Sequence, residues 1–187
     1  MNKHLIPITF FSGPMRSGKS TRLLAELQRS SYRKDIKTVF YRPARDTRDF
    51  IARSMANDIG NIEVRTIQRA KDILDFDVDV VGIDELHFLE EEIVAYILQL
   101  YTQGKEIYVA GLNLDAFGTP WQSSQALLCS PEVNIVRCFG SCQLCSSRWA
   151  TRTYSPTQVN NQVGDDIYKT VCFMCWEQQY DKQETLV

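Results

Sequence analysis

Apolar positions along the chain fall into short runs separated by stretches with helical spacing. Ile6 to Phe11 is an apolar run ending at a glycine-containing turn, the pattern of a buried strand that enters a loop. Lys19 to Ser31 places Leu23, Leu24 and Leu27 on one helical face. Thr38 to Tyr41 and Glu63 to Thr66 are short β-rich runs, and Val78 to Ile83 is a nearly continuous Val/Ile run of the kind buried on both sides of a sheet. From Leu89 to Gln103, Ile93, Ile97, Leu100 and Tyr101 recur at helical spacing. Glu90, Glu91 and Glu92 are assigned to the first turn of that helix, where its dipole favours acids, and Gly104 ends it. Ile107 to Leu112 and Asn134 to Val136 supply two more strands. This repeated alternation predicts an α/β domain over residues 1–138, a mostly parallel sheet with helices on both faces.

Beyond Phe139 the texture changes to short polar segments, Ser-rich turns and two Cys-x-x-Cys pairs, so residues 139–187 are read as a second, small domain. No repeat or low-complexity tract interrupts the chain.

Composition narrows the class. The 187 residues are 44% hydrophobic, enough to bury a real core, so a disordered chain is not expected. The 21 basic residues against 23 acidic ones leave a net charge of −2, which offers no global field for nucleic acid or an anionic membrane. Any bound anion must be caught locally. No apolar run approaches the roughly 20 residues that span a bilayer, and the N-terminus lacks the pattern of a signal peptide. The expectation is a cytoplasmic protein with no direct nucleic-acid or membrane partner.

Gly13-Pro14-Met15-Arg16-Ser17-Gly18-Lys19-Ser20 satisfies G-x-x-x-x-G-K-[ST] between a predicted strand and a predicted helix, the context that gives the motif meaning. Glycines let backbone N–H groups turn inward around phosphate oxygens, where a Cβ would obstruct. The following helix adds its positive end. Lys19 is expected on the β and γ phosphates of ATP and the Ser20 hydroxyl on Mg²⁺. The second element is the carboxylate Asp84, at the C-terminal edge of the Val/Ile run, where open α/β sheets place ligand chemistry; it fits a Mg²⁺ carboxylate. Glu85 follows directly, and a glutamate here serves either water activation or transfer to an organic hydroxyl.

Cys142, Cys145, Cys172 and Cys175 form two C-x₂-C knuckles separated by 26 residues. In a reducing compartment such pairs point to a metal before a disulfide, and four thiolates close a tetrahedral, structural Zn²⁺ site with no position for a catalytic water. The long separation requires the intervening chain to make an excursion. Cys129 and Cys138 are read as small apolar groups.

Taken together, the Gly-Pro-Met-x-Ser-Gly-Lys-Ser loop, the Asp-Glu-x-x-Phe segment after a buried strand and the C-terminal four-cysteine region resemble the type II thymidine kinases over about Ile8 to Trp176. Asp46-Thr47-Arg48, Ala110-Gly111-Leu112 and Val163-Gly164-Asp165-Asp166-Ile167-Tyr168 extend the likeness. The resemblance implies transfer of the ATP γ-phosphate to thymidine, with Glu85 as general base for the 5′-hydroxyl and Asp84 serving Mg²⁺. It adds Arg48 to the ATP-binding set. It implies a thymine pocket from Met15, Phe88, Leu112, Thr153 and Tyr168, joined by Phe117 and by Val163 and Gly164 of a lasso loop between the zinc pairs. Feedback inhibition by thymidine triphosphate and assembly as a homotetramer are implied in the same way.

Four features depart from the family pattern. His87 stands where Gln is usual, and Arg16 replaces a common aromatic. Ala116 occupies the place of a stacking aromatic, with Phe117 beside it and Pro120-Trp121 retained, and the segment from Cys145 to Thr153 is one residue longer. His87 admits two readings, a satisfied loop histidine or a partner of the base. Rival functions are a zinc-ribbon ATPase acting on nucleic acid, a nucleotide binder with little catalysis, and a kinase for another deoxynucleoside.

Overall fold

The computed structural model describes residues 5–47, 59–157 and 167–184. Six strands form one sheet: β1 (Ile8–Ser12), β2 (Thr38–Pro43), β3 (Ile62–Ile67), β4 (Val80–Ile83), β5 (Glu106–Gly111) and β6 (Val133–Arg137), in the order β3-β2-β4-β5-β1-β6. Every pairing in it is parallel, with Phe10 opposite Val109 across β1 and β5 and Ile83 opposite Val109 across β4 and β5. All the C-terminal strand ends therefore lie along one edge. β5 separates β1 from β4, so the loop after β1 and the loop after β4 flank the β5 end at Leu112.

Period-two alternation within doubly buried strands builds two cores. Phe11, Phe40, Val80, Tyr108 and Ala110 face α1 (Lys19–Ser31), against Leu23, Leu24 and Leu27. Their strand neighbours Phe10, Tyr41, Val81, Ile83, Ile107 and Val109 face the other way, with Ile93, Ile97 and Leu100 of α2 (Ile93–Thr102) and Leu127 of α3 (Gln122–Leu128). Each fully buried Leu or Ile contributes about 1.5–3 kcal/mol of transfer free energy, and both faces of the sheet draw on it.

The helix expected from Leu89 begins at Ile93. Amides of Ile93, Val94 and Ala95 bond three residues back, to the carbonyls of Glu90, Glu91 and Glu92, which is a tight turn ahead of the α-helix proper. Glu90 is also drawn away, its carboxylate accepting from the Ala70 amide at 3.3 Å. The acids thus precede the helix instead of sitting in its first turn.

The segment after β6 carries a separate two-stranded antiparallel sheet of β7 (Arg152–Tyr154) and β8 (Lys169–Val171), followed by α4 (Phe173–Glu184). Its core is small: Cys142, Ala150, Tyr154 and Val171 are buried, with Cys172, Cys175 and Trp176 packed against them.

Candidate active site and metal centre

The β1–α1 loop requires glycine at two positions, once for close approach and once for backbone conformation. A Cβ on Gly13 would run into the carbonyl oxygen of Cys138, at the end of β6. Gly18 takes φ 78°, a left-handed conformation that favours glycine, and opens α1. Inside the loop the Ser17 hydroxyl and the Lys19 ammonium both donate to the Pro14 carbonyl, at 2.8 and 2.7 Å, and Lys19 is 7% exposed. The lysine charge is therefore held within the cradle that the sequence predicts for phosphates.

Across the β5 end, Ser20 Oγ donates to Asp84 Oδ1 at 3.0 Å. The same oxygen accepts the Glu85 amide at 2.9 Å. Two cis oxygens of an octahedral Mg²⁺ shell with bonds of about 2.1 Å stand about 3.0 Å apart, so this hydroxyl and carboxylate fit the ion. Glu85 sits at φ 49°, ψ 42°, a left-handed turn in a non-glycine residue, and is 8% exposed. Such a conformation is sparsely populated and persists where surrounding structure fixes it.

His87 faces the Glu85 carboxylate. Its Nδ1 accepts the Leu112 amide at 3.2 Å, which leaves the proton of the neutral ring on Nε2, 3.5 Å from Glu85 Oε2. The ring lies 4.2 Å from Phe88 and 5.1 Å from Trp121, centroid to centroid. On the far side the Arg45 guanidinium caps Phe88 at 5.1 Å, and nearby Arg42 donates to the buried Asp46 at 2.9 Å. His87 is a buried ring, bonded to the Leu112 amide, that also faces Glu85.

Of the expected nucleoside-binding set, Met15 and Thr153 are joined directly, the Met15 amide donating to Thr153 Oγ1 at 3.2 Å. Leu112 meets His87, and Phe88 lies in the aromatic cluster. Thr153 and Tyr168 are buried at 3% and 7% exposure. Phe117 is 39% exposed, its amide donating to Asp115 Oδ1. Beside it Ala116 is buried, and its carbonyl accepts Trp176 Nε1 at 3.0 Å. A tryptophan from α4 therefore reaches the loop where the family pattern places an aromatic of its own, a substitution with no local sequence signal. Arg48, Val163 and Gly164 lie outside the described residues.

The four cysteine sulfurs lie within 4.8 Å of one another, and Cys145 Sγ is 3.7 Å from Cys172 Sγ. With Zn–S bonds of about 2.3 Å, the edge of a tetrahedron is about 3.8 Å. Burial works to raise the Cys142 thiol, yet the amides of Cys172, Leu144 and Cys145 bring it down to about 6. The Cys175 thiol, beside the Cys145 and Cys172 sulfurs, is pushed up to about 12. One thiolate is prepared, while Cys145 and Cys175 resist crowding negative charge, which is the condition a divalent soft-ligand cation relieves. The residues fit structural zinc.

A family profile described as thymidine kinase matches residues 6–176. The chain is 28% identical over 185 residues to a thymidine kinase of Pseudothermotoga lettingae, covering 95% of this chain and 98% of that one. It is 32% identical over 176 residues to a thymidine kinase of Mesomycoplasma hyopneumoniae, covering 90% and 94% respectively.

Proposed function

Because the chain belongs to the thymidine kinase family, we propose that its ATP-dependent phosphotransfer is carried by the residues gathered at the C-terminal edge of the sheet. The protein is a thymidine kinase, transferring the γ-phosphate of ATP to the 5′-hydroxyl of thymidine to give thymidine monophosphate. The loop Gly13 to Ser20, with Arg48, binds the ATP phosphates, and Lys19 neutralises the β and γ groups. Ser20 and Asp84 would hold Mg²⁺, which would supply charge neutralisation for the transferring phosphoryl group. Glu85 takes the proton of the 5′-hydroxyl as the 5′-oxygen bonds to the γ-phosphorus. The bond from that phosphorus to the β,γ-bridging oxygen breaks, and ADP leaves. The observation that carries these roles is the Ser20–Asp84–Glu85 cluster, in which the expected metal ligands meet at 3.0 Å and the base is the adjacent residue.

His87 orients this base. Gln at that position also offers one acceptor for the Leu112 amide and one donor for the Glu85 carboxylate. His87→Gln should keep most of kcat, and His87→Phe should lower it by about tenfold, the worth of a hydrogen bond to a charged group of about 1.5 kcal/mol. Steady-state kinetics with equal losses in both variants would remove the role.

The nucleoside side is assigned to Met15, Phe88, Leu112, Phe117, Thr153, Val163, Gly164 and Tyr168. A pocket closed by main-chain groups of a lasso leaves little space for a purine, and burying the thymine methyl is worth only about 1–3 kcal/mol. Thymidine should be the best acceptor in a nucleoside panel, deoxyuridine should have lower kcat/KM, and deoxycytidine and the purine deoxynucleosides should be poor. Repeating the panel with thymidine triphosphate should show inhibition competitive with both substrates, since that ligand places its base and phosphates on both parts of the site. A purine deoxynucleoside as best acceptor would overturn the assignment.

Structural zinc on the four cysteines, a division into residues 1–138 and 139–187, a cytoplasmic location and a homotetramer complete this reading. Among the described residues no helix is long and apolar enough to cross a membrane. Light scattering of the purified protein tests the tetramer.

A further inference from the structure

The tip of the phosphate-binding loop is bonded to the cysteine knuckles across more than a hundred residues of sequence. Thr170 Oγ1, two residues before Cys172, donates to the Met15 carbonyl at 2.8 Å. Gln143, inside the first knuckle, uses one oxygen twice, accepting Arg16 Nη1 at 3.0 Å and the Thr170 amide at 2.7 Å. Thr153 of β7 takes the Met15 amide. The packing is close as well: a Cβ on Gly140 would meet Thr170 Cγ2 at 2.6 Å and lie 3.7 Å from the Met15 and Arg16 carbonyls. Both polar groups of Met15 are thereby committed to the two short strands.

Arg16 shows why the loop needs this. It has φ 55°, a left-handed conformation that is uncommon for a residue with a side chain. Gly18, two residues on, reaches the same region freely. Left alone, the Met15–Arg16 peptide would relax to another orientation and turn its N–H and carbonyl away from their present directions. The bonds to both polar groups of Met15 and to the Arg16 guanidinium hold this backbone in place.

We propose that Gln143 and Thr170 are positioning residues that brace the phosphate-binding loop, so that the metal-bearing segment sets ATP affinity independently of any part it plays in closing over the nucleoside. The inference rests on the kinase reading above, and it assigns the cysteine region a task on the phosphate side. Cys142 and Cys145 flank Gln143, and Cys172 lies two residues beyond Thr170. A metal that fixes the four sulfurs therefore fixes both brace residues.

The test is equilibrium binding of a non-hydrolysable ATP analogue, without nucleoside, to the full chain carrying Thr170→Val or Thr170→Ser, with bound zinc measured in each. Val keeps the shape and the Thr170 amide bond to Gln143 but loses the hydroxyl; Ser keeps the hydroxyl. The brace predicts that Thr170→Val weakens analogue binding about three- to tenfold, the usual worth of one hydrogen bond, with zinc unchanged, while Thr170→Ser stays close to the unmodified protein. Removing the metal with a chelator should weaken analogue binding further in the absence of nucleoside. Zinc-replete Thr170→Val with unaltered analogue affinity would overturn the brace, and so would an equal loss in Val and Ser. Phosphorylation of thymidine by the unmodified chain is scored separately, so failure of the brace leaves the kinase reading intact, and failure of that reading shows as absent transfer.

Discussion

Replacing Glu85 by Gln is expected to lower kcat by roughly 10² to 10⁴, the range for loss of a positioned general base. The change removes one function and little else. Gln is isosteric, the Glu85 amide that bonds Asp84 Oδ1 belongs to the backbone, and the left-handed turn at this position already carries a side chain of that shape. The Ser20–Asp84 pair and the loop around Lys19 are untouched, so ATP binding should change by less than about twofold. An amide cannot accept the 5′-hydroxyl proton, and the loss should fall on kcat and on kcat/KM for thymidine alike. Pre-steady-state measurement of ADP formation with and without thymidine separates transfer from hydrolysis. Normal turnover in Glu85→Gln would remove Glu85 from the mechanism, and a defect confined to the thymidine-free ATPase would point to water activation.

Much of this site could be read from the sequence because its parts are local. The helix over Lys19 to Ser31 follows from three leucines and coincides with the observed element. The Val/Ile run ending at Asp84 is doubly buried, as its lack of alternation implies. The cysteine pairs announce themselves by spacing and do converge. Elements with no periodic signal escaped. α3 is seven residues long, and its Ser123 and Ser124 are buried and bond the carbonyls of Leu86 and Leu112 behind the site. α4 starts inside the second cysteine pair, so metal spacing masks its beginning. Contacts between distant segments were equally invisible. Nothing near Thr170 or Gln143 points to Met15, and nothing near Ala116 points to Trp176. His87 is the intermediate case, since its residue type and position drew attention but its two partners come from different strand ends.

The two parts of the chain differ in the size of their apolar cores. Purified protein should carry about one zinc per chain, and Cys142→Ser should lose it. The six-stranded sheet has apolar clusters on both faces and should stay folded. Among the described residues, the apolar cluster of the segment bearing β7 and β8 has just Cys142, Ala150, Tyr154 and Val171 as its buried members, and one of these belongs to the four-sulfur group. A core of that size cannot offset the ordering of its chain, about 1–2 kcal/mol per residue of backbone alone. Structural zinc contributes about 10–16 kcal/mol of apparent binding energy in small zinc-finger peptides, and that energy is folding energy. Loss of the metal should therefore unfold this segment selectively. Cys142 is the informative position because its thiol is already held low by three amides and it is the buried member of the set. A serine hydroxyl there supplies no thiolate, and the three remaining sulfurs include Cys175, whose proton is held tightly until a cation displaces it. Metal analysis combined with amide hydrogen exchange reads both halves of the expectation. Protection should disappear at Gln143, Thr151 and Thr170, whose amides are bonded within this segment, and persist through β1, β4 and β5. Zinc-free Cys142→Ser with full protection in β7 and β8 would show that the small core suffices without the ion.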